Sequence, residues 1–136
     1  MLKLTRILGM IVLCGIATAT IAATAQPPWS PAEVSVFDNK GAYSFANDAG
    51  VPFYTNDRDA DGKANCDDVC TGDGWLPVFA RASAKPQGDW SIVIRGDQTT
   101  QWAYKGKPIY NYFASTDLKE VLDVVDHNPH WHKLVP

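Results

Sequence analysis

Between Tyr54 and Cys70 the chain reads Y-T-N-D-R-D-A-D-G-K-A-N-C-D-D-V-C, a loop of five carboxylates closed off by two cysteines with three residues between them. No other stretch limits the folding options as strongly. Five like charges so close together cannot be buried as a group without compensation, so the loop belongs at a surface or around a cation. In an oxidising compartment, cysteines this close form a disulfide by default. Closing so short a loop stabilises by about 2 kcal/mol on the chain-entropy model. The rival reading is thiol exchange. That chemistry usually has two intervening residues and a helix N-terminus to lower the thiol pKa, and the sequence offers neither. The spacing of Cys66 and Cys70 therefore reads as structural.

Compartment follows from the N-terminus. Lys3 and Arg6 precede an uncharged run from Ile7 to Ala25 that ends in Ala23-Thr24-Ala25, the pattern of a signal peptide cleaved before Gln26. Two alternatives bear on the same segment. Cys14 could accept a lipid, but Leu13 stands where that chemistry wants a small residue. An uncleaved anchor needs about 20 apolar residues, and Gly9, Gly15 and the Thr-rich composition weaken that reading. The organisation predicted is a signal peptide at 1–25, a Pro-rich lead-in at 26–32 and a single domain at 33–136, placed in the periplasm or secreted. Loss of Lys3 and Arg6 leaves ten basic residues against 15 acidic ones, which argues against nucleic acid and for cations as partners of the acidic loop.

The mature sequence reads as a mainly β domain of short antiparallel strands. Glu33 to Asp38 and Tyr43 to Phe45 flank a turn at Asn39-Lys40-Gly41, and Val51 to Thr55 follows a second turn at residues 47–50. Trp75 to Ala80 is apolar. Trp90 to Ile94 and Gln101 to Tyr104 form a hairpin across residues 96–100, and Lys105-Gly106 turns into a strand from Lys107 to Phe113. One segment departs from this rhythm: Leu118, Val121, Leu122 and Val125 recur at helical spacing behind an Asp117 N-cap, predicting one short helix over 118–125. Asp126 to Pro129 stops it, and Trp131 to Val135 returns as a final strand.

An internal echo divides the domain into two pseudo-repeated halves. Gly50-Val51-Pro52-Phe53-Tyr54 and Gly106-Lys107-Pro108-Ile109-Tyr110 share G-x-P-[apolar]-Y at a distance of 56 residues. Together with A-K-P-Q-G-D-W-S-I-V-I-R-G-D-Q-T-T-Q-W-A-Y-K-G-K-P-I-Y, with Y-T-x-D-x-D-x-x-G-K-x-x-C-x-x-x-C and with a trailing W-H, this makes residues 34–136 resemble the secreted repeat family of predicted lipoproteins that carries a Y-x-[FWY]-x-x-D motif. The family's motif positions fall on Tyr54, Asp59, Trp75, Gln101, Trp102, Tyr104, Gly106, Pro108, Tyr110 and Trp131. The resemblance implies an exported bacterial β-rich domain without an established activity. Two departures separate the chain from that pattern: Asn56 replaces the motif's second aromatic, and the segment from Leu118 to Val125 replaces a Gly-rich stretch.

Three sets of residues carry candidate chemistry. With Asp57 as the first position, Asp59, Asp61, Lys63 (through its carbonyl), Asn65 and Asp68 fall in the oxygen-ligand order of a calcium loop, with Gly62 at the turn. Against calcium, a small Ala64 stands at the eighth position and the shorter Asp at the twelfth. His127, His130 and His132 are all the histidines of the chain; on a strand the last two share a face, which suggests zinc or copper, while solvated polar positions are the alternative. Trp29, Trp75, Trp90, Trp102 and Trp131 read as core rather than as a binding platform. No nucleophile and base are spaced as in a known catalytic template, so the chain does not read as an enzyme. The expected function is a non-catalytic exported binding or envelope-associated module, a monomer by default, with calcium as the one candidate cofactor. The alternative is a small transition-metal or redox protein that uses the histidines or the cysteine pair.

Export makes two measurable demands. The mature protein should begin at Gln26 by mass spectrometry, and thiol titration of the non-reduced mature chain should find no free thiol. An intact Met1, a lipidated Cys14 or two free thiols would each reverse the assignment of compartment.

Overall fold

The computed structural model describes residues 30–39, 42–66, 70, 73–114 and 117–136, so the leader at 1–25, Cys14, Trp29 and Asp68 lie outside the described residues. Within these residues the chain forms nine strands and one helix, the mainly β architecture expected from the sequence. β1 (Ser35–Asn39) and β2 (Ala42–Ala46) make a hairpin. β3 (Phe53–Asn56), β4 (Trp75–Pro77), β8 (Tyr110–Tyr112) and β9 (Trp131–Lys133) make an antiparallel sheet in the order β4-β8-β3-β9. β5 (Trp90–Ile94), β6 (Thr100–Tyr104) and β7 (Lys107–Pro108) make the third sheet. α1 (Leu118–Asp126) is capped by the Asp117 side chain, which accepts from the Lys119 amide at 2.8 Å. Val121 and Val125 are buried, as the helical spacing predicts.

The register of the four-stranded sheet makes the sequence echo physical. β3 and β8 pair so that Tyr54 opposes Tyr110, the last residues of the two G-x-P-[apolar]-Y segments. β4 pairs with β8 through Trp75 and Tyr112, Leu76 and Asn111, Pro77 and Tyr110. A shift of 56 residues turns this ladder into that of β9 and β3: Trp131 and Asn56, His132 and Thr55, Lys133 and Tyr54. Hydrogen bonds beyond the ladders obey the same shift, Val78 N to Ile109 O at 3.0 Å and Leu134 N to Phe53 O at 2.8 Å. The two halves are thus related by a pseudo-twofold axis through the pair Tyr54 and Tyr110.

Where the sequence predicts one strand from Lys107 to Phe113, the chain makes two. Ile109, fully buried, donates to Trp102 O in one sheet and accepts from Val78 N in the other, so the strand changes sheets at that residue. Trp75 to Ala80 behaves likewise: after β4, Trp102 N bonds to Val78 O and Ala80 N to Thr100 O, tying this segment to β6. The final strand ends at Lys133, and Leu134 O accepts from Phe45 N of β2. A period-2 pattern cannot reveal such a transfer, because alternation continues unbroken across it.

Two apolar clusters cover opposite faces of the central sheet. Val34, Phe45, Phe53, Trp90, Trp102, Tyr104, Ile109 and Leu134 form one, with Phe45 edge-on to Trp90 at 4.9 Å between centroids. Tyr54, Trp75, Tyr110, Trp131, Val125 and the two cysteines form the other. In the second, Trp75 and Trp131 stack at 3.6 Å with 10° between planes. Tyr54 meets Trp75 edge-on at 5.3 Å, and Tyr110 meets Trp131 edge-on at 5.2 Å, again related by the 56-residue shift. The four described tryptophans are core residues, each no more than 7% exposed.

This stack should dominate stability. Trp75→Ala and Trp131→Ala should each cost about 3–5 kcal/mol in urea denaturation. Because the rings share one contact, the double variant should lose less than the sum of the two single losses. Strict additivity would show that the stack is not a coupled unit.

Candidate functional site

The acidic loop is where the sequence concentrates its chemistry, and the fold sends its three described carboxylates, Asp57, Asp59 and Asp61, in three directions. Asp57 lies beside β9: its Oδ1 is 2.7 Å from His132 Nε2, and its Oδ2 is 4.0 Å from His130 Nδ1. Asp59 turns inward and is only 4% exposed, accepting from the amides of Asn65 at 2.6 Å and Cys66 at 3.2 Å. Asp61 points outward to Lys107 Nζ at 3.0 Å. Asn65 donates its side-chain amide to Arg58 O at 2.7 Å. The Lys63 amide bonds back to Ala60 O, and Gly62, at φ +72°, donates to Gly106 O at 2.8 Å. Of the oxygen ligands read from the sequence, the described Asp57, Asp59, Asp61 and Asn65 side chains each have a different neighbour. Among the described residues, no group of three or more His, Cys, Asp or Glu side chains already stands in metal-holding geometry.

Asp59 anchors a buried polar cluster. Arg95 donates from Nη1 to Gln101 Oε1 at 2.7 Å and from Nη2 to Cys66 O at 2.9 Å, while Gln101 donates to Ile109 O at 2.8 Å. The Cys66 peptide is thus held from both sides, its amide by Asp59 and its carbonyl by Arg95. The Tyr110 hydroxyl faces the Asp59 carboxylate; the pair falls short of a well-formed hydrogen bond, but the negative charge of Asp59 acts on the hydroxyl. Burial is the main reason that the Asp59 carboxyl titrates above its ordinary value, opposed by the two amides, Tyr110 and the positive charge of Arg95. Burial and the neighbouring Asp59 likewise push the Tyr110 hydroxyl well above its ordinary value.

Cys66 and Cys70 are bonded, with Cα atoms 5.4 Å apart, and are 2% and 7% exposed. They sit under the aromatic cluster of Tyr54, Trp75, Tyr110 and Trp131. Thiol exchange requires an attacking thiolate to reach a sulfur, and this burial restricts that approach. His127 stands apart from the other two histidines and takes the Asp123 carbonyl at 2.7 Å through Nδ1.

The residues that the resemblance marks fall mostly into the interior. Tyr54, Trp75, Tyr110 and Trp131 form the aromatic box, and Asp59 and Gln101 belong to the polar cluster. Trp102 and Tyr104 belong to the first apolar cluster and Pro108 is fully buried, while Gly106 shapes the turn that meets Gly62. Sequence reasoning missed Arg95, which lies at the end of a strand with no charge pattern to mark it. It also missed a groove of about 430 Å³ lined by Val51, Leu76, Pro77, Phe79, Tyr112 and Phe113, with Asn47 and Asn111 as its polar members. Leu76, Phe79 and Phe113 are 37%, 50% and 50% exposed. Compared with known proteins, the chain matches no family model, no curated protein and no solved structure.

The Asp59 cluster should be visible in the pH dependence of stability. Its carboxyl has a higher pKa folded than unfolded, where the value is near 3.8, so the folded state holds the proton more tightly. The linked stability is complete below that pH and is lost as pH rises through the raised native value. Asp59→Asn keeps an oxygen for the Asn65 and Cys66 amides but cannot titrate. Wild-type stability minus variant stability, from urea midpoints between about pH 3 and 7, should therefore fall with pH. A flat or rising difference would contradict this account.

Proposed function

We propose that this chain is an exported, non-catalytic binding module whose contact surface is the apolar groove between the turn at residues 47–51 and the edge strand β4. The observation that carries this reading is the exposure of Leu76, Phe79 and Phe113 around one concavity. Contiguous exposed apolar surface marks interaction sites more often than chance placement. The pseudo-twofold sharpens the point. Val51, Leu76, Phe79 and Phe113 correspond by the 56-residue shift to Lys107, His132, Val135 and Asp57. The repeat architecture therefore tolerates polar residues at three of these four places, and the fold does not demand the groove's apolar character.

Export is supported by the leader-like N-terminus, by the resemblance to a secreted family and by the Cys66 to Cys70 bond. Among the described residues, no helix is long and apolar enough to cross a membrane. The partner supplies an apolar or aromatic group to the groove. This reading does not require calcium: Asp57 faces His132, Asp59 the Asn65 and Cys66 amides, Asp61 Lys107, and Asn65 the Arg58 carbonyl.

A probe of known chemistry tests the groove. Anilinonaphthalene sulfonate, an apolar fluorescent dye, should bind the folded protein saturably. Phe79→Ser with Phe113→Ser should weaken that binding about tenfold or more, equivalent to about 1.4 kcal/mol. Both rings are half exposed, so the melting temperature should hardly move. Unchanged dye binding in a folded double variant would sink the assignment of the surface.

A further inference from the structure

The pseudo-twofold places a polar site where the other half carries the groove. Phe113 N donates to Gly74 O at 2.9 Å; the equivalent bond joins Asp57 N to His130 O at 3.0 Å. That bond continues the ladder of β3 and β9 by one pair, setting Asp57 opposite His130, while Thr55 opposes His132. Directly opposed residues project to the same face of an antiparallel ladder, and so do residues two apart on one strand. Backbone register alone therefore puts Asp57, His130 and His132 on one face. The side chains bear this out: both imidazoles approach the single carboxylate, His132 through Nε2 at 2.7 Å from Oδ1 and His130 through Nδ1 at 4.0 Å from Oδ2. All three are about half exposed, so an ion can reach them and water can complete its coordination.

We propose that Asp57, His130 and His132 form a two-histidine, one-carboxylate site for a divalent transition-metal ion of the zinc and copper class. Imidazole nitrogen and carboxylate oxygen suit these ions, and ligand bonds of about 2.0–2.2 Å place neighbouring donor atoms roughly 3.4 Å apart in a tetrahedral site. The separations of 2.7 and 4.0 Å lie on either side of that value. Binding would have to draw the His130 ring toward the carboxylate, and the metal would replace the direct contact between His132 Nε2 and Asp57 Oδ1. His127 is not a ligand, being turned to the Asp123 carbonyl. The site is independent of the apolar groove, so either can fail without the other.

The test is titration of the metal-free, disulfide-bonded protein with Zn(II) by calorimetry and with Cu(II) by electron paramagnetic resonance. One ion per chain is expected, with Cu(II) signals split by two imidazole nitrogens. Asp57→Asn, His130→Ala and His132→Ala should each weaken Zn(II) binding by at least about tenfold, since even the loss of an outer-sphere partner costs that much at metal sites. His127→Ala should change nothing. These exposed substitutions should leave the melting temperature of the metal-free protein within a degree or two, which a purely structural role of the cluster would not allow. The proposal is overturned by absence of saturable binding, by binding that survives the His130→Ala and His132→Ala double variant, by an unaltered Asp57→Asn protein, or by loss of binding in His127→Ala.

Discussion

The stacked pair of Trp75 and Trp131, with Tyr54 and Tyr110 edge-on at its flanks, is the contact on which the rest of the molecule depends. Each ring comes from a different strand of the central sheet, so the box forms only when all four strands are paired in register. Aromatic pairs of this geometry contribute about 0.5–1.5 kcal/mol each beyond the burial of their area. The box also covers the disulfide and the buried side of α1, so one cluster joins the two halves and the loop between β3 and β4. A slip of one residue in any ladder would turn these rings to the other face, which is how a sheet of very short strands obtains a single register.

The acidic loop is fixed to this centre by polar rather than apolar contacts. Asp59 and Arg95, both buried, hold the Cys66 peptide by its amide and its carbonyl, and Gln101 ties Arg95 to the strand exchange at Ile109. Removing either Asp59 or Arg95 would leave the other buried charge short of partners, which is costly. Outside the cluster, Gly62 reaches the backbone of Gly106 and Asp61 reaches Lys107, so the loop of the first half clasps the G-x-P turn of the second. Mutual repulsion of the three described carboxylates is relieved by dispersal: one beside histidines, one among amides, one beside a lysine.

The ladder of β4 with β8 and that of β9 with β3 share a hydrogen-bond pattern and differ in what they expose. Equivalent hydrogen bonds, Phe113 to Gly74 and Asp57 to His130, sit at the two ends of the central sheet. At one end Gly74 has φ +88°, and a Cβ there would come within 2.5 Å of Ala114 Cβ, so glycine is required where the apolar groove begins. At the other end the equivalent position holds a histidine. Equivalent ladders let one end of the sheet become apolar and the other polar without disturbing the core, since Phe113, Gly74, Asp57 and His130 lie outside both apolar clusters.

Much of the architecture was determined by the sequence itself. Period-2 alternation, Gly and Pro turns and the helical spacing behind Asp117 fixed strands and helix, because these patterns express local backbone preference and one-sided burial. The two G-x-P-[apolar]-Y segments end on the Tyr54 and Tyr110 that pair in the central sheet, and the spacing of Cys66 and Cys70 fixed the disulfide. What tertiary structure alone decided is who faces whom. The order Asp57, Asp59, Asp61, Asn65 looked like a converging ligand set, yet pairing of β3 with β9 drew Asp57 to His132, and burial drew Asp59 inward. Residues 75 positions apart, such as Asp57 and His132, meet only through strand pairing, and no local pattern encodes that distance. The groove is hidden for the same reason: Val51, Leu76 and Phe113 come from three separate segments, and each reads singly as an ordinary strand residue until the sheet brings them side by side.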